Sequence, residues 1–261
     1  MNSCLSLTTA GHVARVTLNR PEVRNAFNEV LIQELTATFI ELGQRADLRA
    51  IVLAAEGKAF CAGADLNWMK AMASYSWDEN HADATKLADM LWALYSCPVP
   101  VIARVQGDVY AGGMGLVACA DIVVAVDGAG FCLSEAKLGL MPATIAPYVV
   151  KALGEQASRR YFLTAERFSA DEAKRLGFVH EVVAADALDA KVDDLAAALC
   201  ANGPAATRAC KRLVKDVAGR EITDALRDDT ARRIADIRAS AEGREGVLSF
   251  LSKGKPGWQQ G

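Results

Sequence analysis

Three short stretches combine small residues, turn signals and an acid in a way that could stabilise a developing negative charge and move a proton. The first is Gly57-Lys58-Ala59-Phe60-Cys61-Ala62-Gly63-Ala64-Asp65-Leu66, directly after the apolar run Ile51–Leu53. Its small residues at 61 to 64 let a ligand approach the backbone closely. Asp65 can cap the segment Leu66–Ala73, and a plain strand-to-helix turn would carry the same residues. The second is Val105-Gln106-Gly107-Asp108-Val109-Tyr110-Ala111-Gly112-Gly113-Met114-Gly115, which reads as strand, glycine turn, helix. Its glycines bring free backbone N–H groups and a helix N-terminus to one point, which suits an anion. It fits neither GxGxxG nor GxxxxGK[ST], and no lysine follows the glycines, so a phosphate-cradling loop is disfavoured. Its place after the third strand also weakens a dinucleotide-fold reading. The third is Phe131-Cys132-Leu133-Ser134-Glu135-Ala136-Lys137-Leu138-Gly139-Leu140-Met141-Pro142. Glu135 follows an apolar run, where partial desolvation would raise its pKa towards general acid–base duty. A pair with a lysine or a helix-cap carboxylate is the alternative for it.

The elements that must position these stretches alternate along the first 180 or so residues. His12–Leu18 sets Ala14, Val16 and Leu18 on one face, as a half-buried strand does. Asn28–Gln44 carries Leu31, Leu35, Phe39 and Leu42 at helical spacing, with Asn25 or Asn28 as the cap. Ala50–Ala55 is a continuous apolar run, expected of a strand covered on both faces. Leu87, Met90, Leu91 and Leu94 mark a helix ended by Cys97-Pro98-Val99-Pro100. Val101–Val105, Ile122–Val126 and Phe178–Val183 read as strands and Met114–Ala120 as a short helix, so the order is that of an α/β core. Beyond residue 183, Ala184–Ala201, Pro204–Val217, Glu221–Ala239 and Glu242–Leu251 read as helices. The expected organisation is a core over 1–183 and a helical oligomerisation region over 184–261, since such appendages often pack on a neighbouring subunit.

Composition narrows the partners. The chain has 29 Lys plus Arg against 32 Asp plus Glu, a net charge of −3, which makes nucleic acid a poor partner. No apolar run reaches the ~18–20 residues of a membrane span, and Met1–Leu5 lacks the basic and apolar regions of a signal peptide. A cytoplasmic protein is expected. Seven cysteines, at 4, 61, 97, 119, 132, 200 and 210, form no CxxC pair and read as reduced thiols packed as small hydrophobes. The histidines at 12, 81 and 180 stand far apart, so neither a zinc site nor a histidine relay is expected. The chemistry is left to carboxylates, backbone or a cofactor, with no metal expected.

Taken together, AFCAGADL, the QGxxxAGG turn, ADIVVA, FxxSEAKLGLMP and LTAERFSADEAKRLGFVHEVV resemble the crotonase, or enoyl-CoA hydratase/isomerase, superfamily. So do Asn19–Ala26 and the final EGREGVLSFLSKGKPGW. The Leu66-Asn67-Trp68-Met69 run and Phe131–Phe168 look most like bacterial 3-methylglutaconyl-CoA hydratases. The resemblance implies an α/β spiral of ββα units with a C-terminal helical trimerisation region, assembled as a trimer or a dimer of trimers. It implies an oxyanion hole formed by the Ala64 and Gly112 N–H groups, holding the thioester carbonyl of an acyl-CoA, and Glu135 as the catalytic acid–base. Arg24, Ala26, Ala62, Asp65 and Leu66 would line the CoA path, with Tyr110, Gly113 and Ser134 beside the acyl group. Lys253 or Lys255 would reach the nucleotide phosphates. CoA enters as the substrate's handle, and no cofactor is implied.

The pattern departs from the two-glutamate hydratases at one decisive place. Their first glutamate stands three residues after the oxyanion-hole glycine, where this chain has Gly115; their second matches Glu135. Met141-Pro142-Ala143-Thr144-Ile145-Ala146-Pro147 also replaces a glycine run. Hydration by Glu135 alone, helped by a polar group near Tyr110, Ser134 or Thr144 or by the substrate's own distal carboxylate, is the leading expectation. A Δ3-Δ2-enoyl-CoA isomerase, a thioester hydrolase and a non-catalytic acyl-CoA binder are the rivals. An RNA-binding role would rest on the basic stripe Arg208–Lys215.

Overall fold

The computed structural model describes residues 3–260. The chain opens with an antiparallel pair, β1 (Leu5–Ala10) and β2 (Val13–Leu18), joined around Gly11. Helix α1 (Glu29–Gln44) buries Leu31, Ile32, Leu35, Phe39 and Leu42 along one stripe. Asn28 is its cap, its side-chain oxygen accepting from the Leu31 N–H at 2.9 Å. Asn25, the other cap expected from the sequence, is instead fully buried at φ 55°. Its amide donates to the carbonyls of Glu56 and Ala59, so it braces two loops rather than starting a helix.

Three times in succession the chain then makes a strand, a tight turn, a second strand and helix. The first unit is β3 (Ala50–Ala55) and β4 (Ala59–Cys61), with α2 (Leu66–Met72) and α3 (Trp77–Ser96). The second is β5 (Val101–Val105), β6 (Asp108–Tyr110) and α4 (Gly112–Cys119). The third is β7 (Ile122–Val126) and β8 (Gly130–Cys132), then the 3-10 turn Glu135–Leu138, α5 (Ala146–Leu153) and α6 (Glu155–Thr164). The strand β9 (Phe168–Ser169), the helix α7 (Ala170–Arg175) and β10 (Glu181–Val183) close the core.

The first strand of each pair enters one sheet, ordered β1-β2-β3-β5-β7-β10 and parallel from β2 onwards. The second enters a smaller sheet, β4-β6-β8-β9, whose first three strands are parallel. This is the expected α/β spiral of ββα units. Every residue of β3 is buried, as its unbroken apolar run requires.

Helix α8 (Leu188–Cys200) packs across β3, β5 and β7 through Leu188, Val192 and Ala196, and its Asp189 takes the Arg104 guanidinium at 2.7 Å. The helices α9 (Pro204–Val217), α10 (Asp224–Ala239) and α11 (Ala241–Leu251) follow. Helix α9 is held by Lys211 on Asp121 at 2.6 Å and by Arg208 on the carbonyls of Arg45 and Leu48. Helix α10 begins three residues later than its composition suggests, because the Thr223 hydroxyl accepts from the Leu226 N–H and fixes the start. Among the described residues no helix is long and apolar enough to cross a membrane.

Candidate active site

The three stretches singled out by their chemistry converge because of sheet parity. Strands β4, β6 and β8 are parallel neighbours, with Cys61 opposite Val109 and Tyr110 opposite Cys132. Adjacent strands lie about 4.8 Å apart, so the loops leaving their carboxyl ends emerge side by side. Ala64 stands three residues past Cys61, Gly112 two past Tyr110 and Glu135 three past Cys132. The Ala111 N–H donates to the Cys132 carbonyl at 2.9 Å, tying the second loop to the third.

The Ala64 amide is freed by a β-bridge. Phe27 donates its N–H to the Gly63 carbonyl at 2.7 Å and accepts at its own carbonyl from the Asp65 N–H at 2.8 Å. With residues 63 and 65 turned towards Phe27, the N–H of Ala64 points the other way. Gly112 is the first residue of α4, where backbone N–H groups have no intrahelical acceptor and the helix dipole is positive. Among the described residues, neither amide donates to a backbone carbonyl.

Close packing fixes the two loops against each other. Gly63 sits at φ 90°, and a Cβ there would lie 2.9 Å from the Ala111 Cβ, so only glycine allows this approach. A Cβ on Gly112 would lie 2.6 Å from the Phe27 ring, so the same aromatic side chain buttresses the helix start and its backbone turns Ala64. Ala111 adopts φ 47° and ψ −120°, a strained conformation for a residue with a Cβ.

Glu135 opens the 3-10 turn after β8. Its Oε2 is buried and has no hydrogen-bond partner among the described residues. Burial raises the carboxyl above its ordinary value of 4.5, against a smaller opposing pull from its own backbone N–H. The alternative reading as an ion pair with Lys137 has no support here, since no such pair is formed among the described residues. A carboxylate so placed can exchange a proton with a group bound in front of it.

The remaining predicted site residues divide. Asp65 is buried, caps α2 through the Asn67 N–H at 2.9 Å and pairs with Arg20 at 2.9 Å. Burial alone would raise its pKa, but the Asn67 N–H and the Arg20 guanidinium outweigh it and lower the carboxyl. Arg20 also donates to the Ala26 carbonyl, and the Arg24 carbonyl accepts from the Ala62 N–H at 3.0 Å. Arg24, Ala26, Ala62 and Asp65 therefore form one braced corner, with Arg24 and Leu66 exposed at its edge. Gly113 is buried against Cys61, while Tyr110 and Ser134 are half-buried in the same loop cluster. Lys253 and Lys255 are exposed on the C-terminal segment, which is anchored at the start of β3 by Arg49 on the Trp258 carbonyl. The protomer does not join them to the three loops by any described hydrogen bond or ion pair.

Cys61, despite its place in the first loop, is no nucleophile. Burial pushes its thiol up to about 12, and it donates to the Asn25 carbonyl. His180 accepts the Val123 N–H at Nδ1 and serves the sheet. One residue here escaped the sequence reading: Phe27, which bridges to Ala64 and lies on Gly112, and whose only signal was an apolar residue beside a turn. Ile145, which lies over Gly115, stood in the sequence only as part of the Met141–Pro147 departure.

The chain is similar to known proteins over nearly its whole length. The enoyl-CoA hydratase/isomerase family profile matches residues 8–261. An enoyl-CoA hydratase from Shewanella pealeana superposes with a TM-score of 0.94 at 42% identity, covering 98% of this chain and 96% of that one. Pseudomonas aeruginosa AtuE superposes with a TM-score of 0.94 at 37% identity, covering 98% and 100%. The enoyl-CoA hydratase ACTT6 of Alternaria alternata is 35% identical over 262 residues, 97% of this chain and 83% of its own length. The chain belongs to the enoyl-CoA hydratase/isomerase family and is an enzyme of the crotonase fold.

Proposed function

We propose that the protein hydrates the 2,3 double bond of an acyl-CoA thioester, with 3-methylglutaconyl-CoA or a related branched acyl group as substrate. The observation that carries this reading is Glu135, half-buried, with its Oε2 buried and unpaired among the described residues, and rooted beside the two free amides. The thioester carbonyl oxygen accepts from the Ala64 and Gly112 N–H groups. As water adds to Cβ, negative charge moves onto that oxygen, and both donors act on charge that exists only past the ground state. Glu135 takes a proton from the attacking water and returns one to Cα, so a single carboxylate closes the proton balance. The strain at Ala111 and the packing of Gly63 hold the amides in place before substrate arrives. Arg24 and Leu66 mark the exposed edge along which the CoA chain leaves. The reaction needs no further cofactor. The C-terminal helices mediate assembly into a trimer or a dimer of trimers.

A second reading, Δ3-Δ2-enoyl-CoA isomerisation, is favoured by one observation: Gly115 supplies no second carboxylate. Moving a proton between Cα and Cγ needs only one. The two reactions separate in one assay. Crotonyl-CoA and 3-methylglutaconyl-CoA lose their conjugated absorbance if hydration runs, and a 3-enoyl-CoA gains it if isomerisation does. Faster turnover of 3-methylglutaconyl-CoA supports the first reading. Turnover of the 3-enoyl thioester alone replaces it with the second, and release of free thiol from either would make the enzyme a hydrolase.

A further inference from the structure

Helix α9 carries the basic stripe Arg208–Lys215, and its cations divide into two groups. Arg208 donates to the carbonyls of Arg45 and Leu48, and Lys211 pairs with Asp121 at 2.6 Å, so both hold the helix to the core. Arg212 and Lys215 have no acid partner among the described residues. With Lys151 and Tyr95 they line a groove of about 400 Å³ between α9, the end of α3 and α5. A groove of that size takes a small ligand. Its two acids are already engaged, Asp121 with Lys211 and Asp216 with Arg233 at 2.5 Å. Asp121 stands just before β7, and the length of α4, about 12 Å, separates it from Gly112.

Two of the cations converge on one ring. The Lys215 Nζ lies 4.0 Å from the Trp92 ring centroid and 5.4 Å from that of Tyr95. The Lys151 Nζ lies 5.7 Å from the same Tyr95 centroid and donates to its hydroxyl oxygen at 3.2 Å. The rings attract each ammonium but do nothing to relieve the repulsion between the two. Each lysine also stands in the last turn of its helix, where the dipole favours a cation. That accounts for either lysine alone. It does not account for their convergence from α5 and α9 with no acid between them, nor for Arg212, which lies outside the last turn of α9. We propose that the groove is a second ligand site, which takes the diphosphate group of a small molecule between Lys151, Arg212 and Lys215. Phosphate oxygens accept charge-assisted hydrogen bonds from ammonium and guanidinium groups, and the Tyr95 hydroxyl keeps its own proton to donate. The chain as a whole carries a charge of −3, so this positive field is local and steers an anion to the groove.

Calorimetric titration of the intact protein with inorganic diphosphate and with ADP tests this site without reference to any activity. At about 50 mM salt the wild type is expected to bind diphosphate with a Kd of about 0.1 mM, weakened about tenfold at about 500 mM salt. Lys151→Gln with Lys215→Gln, folded by circular dichroism, is expected to lose at least about tenfold in affinity, whereas Lys215→Arg keeps the charge and retains binding. ADP bound as tightly as diphosphate, or more tightly, supports the site and makes a nucleotide its source; diphosphate bound more tightly supports it with the free anion. No heat from either ligand at about 10 mM overturns the proposal. Equal affinity in the wild type and the double variant also overturns it, since the anion would then sit elsewhere; a lower melting temperature with binding unchanged would leave the lysines to the helix dipoles alone. A change in the mass of the double variant by light scattering overturns it too, because the lysines would then meet a second copy of the chain. Binding of single-stranded RNA by a protein that takes neither small ligand would transfer the stripe to nucleic acid.

Discussion

Ala111 holds φ 47° and ψ −120° between a helix and a strand end, because its N–H is claimed by Cys132 and its Cβ faces Gly63. Such a conformation costs about 1–3 kcal/mol for a residue with a Cβ. Glycine would relieve it while losing ~0.5–1 kcal/mol in unfolded-chain entropy. Ala111→Gly is therefore expected to stabilise the protein by about 1 kcal/mol, read from the denaturation midpoint at unchanged slope. A loss of stability would mean the strain is not there. Residue types alone pointed to two glycine-rich turns and to Glu135, each with a plain structural alternative, and the family resemblance narrowed the turns to the Ala64 and Gly112 amides. They could not reveal the strain at Ala111 or the bracing by Asn25, since both depend on neighbours about 20 to 50 residues away along the chain.

At the scale of elements, the first loop is held by a cap and an ion pair on one carboxylate. Asp65 starts α2 and pairs with Arg20, with both side chains largely buried. Removing it as Asp65→Ala loses the cap and strands a guanidinium, at a cost of about 2–4 kcal/mol. The sign of the pH effect follows from the lowered pKa. Its contribution is complete above the ordinary aspartate value of 3.8 and disappears as the pH falls through the lowered one. Acid unfolding of Asp65→Ala, followed by circular dichroism, should accordingly show a shallower loss of stability below pH 3.8 than the wild type. An identical slope would place the pair outside the stability of the fold. The long apolar strands β3, β5 and β7 match their expected bounds to the residue, as does α9. The strands β4, β6, β8 and β9 span only two or three residues each. A period of two cannot be recognised over so short a run. Yet those strands gather the site, so its residues were legible before the sheet that unites them.

For the molecule as a whole, the packing of the C-terminal region is incomplete in one protomer. Helices α9 and α11 contain no fully buried residue, and Val247, Leu248, Phe250 and Leu251 are exposed. Large apolar side chains clustered this way are what the proposed assembly would cover. Light scattering on the purified protein is expected to give the mass of a trimer or a dimer of trimers. Leu248→Glu with Leu251→Glu should shift it towards the 27.8 kDa monomer. A wild-type monomer would contradict the assembly and leave those side chains unexplained. The helical character of this region was plain from its composition. The division of labour within it was not, because α8 belongs to the packing of the large sheet whereas α9 to α11 continue beyond it.

The central claim, that one half-buried carboxylate carries the proton, is tested most directly by Glu135→Gln on 3-methylglutaconyl-CoA and crotonyl-CoA. The account predicts a loss of about 100- to 10,000-fold in turnover, as expected for removal of an acid–base group. Because burial raises the wild-type carboxyl, ionising it at neutral pH opposes folding, so the variant should melt no lower than the wild type at pH 7. The wild-type rate should fall on the acid side at a pH above 4.5. Hydration within tenfold of wild type in a folded Glu135→Gln protein would contradict the account.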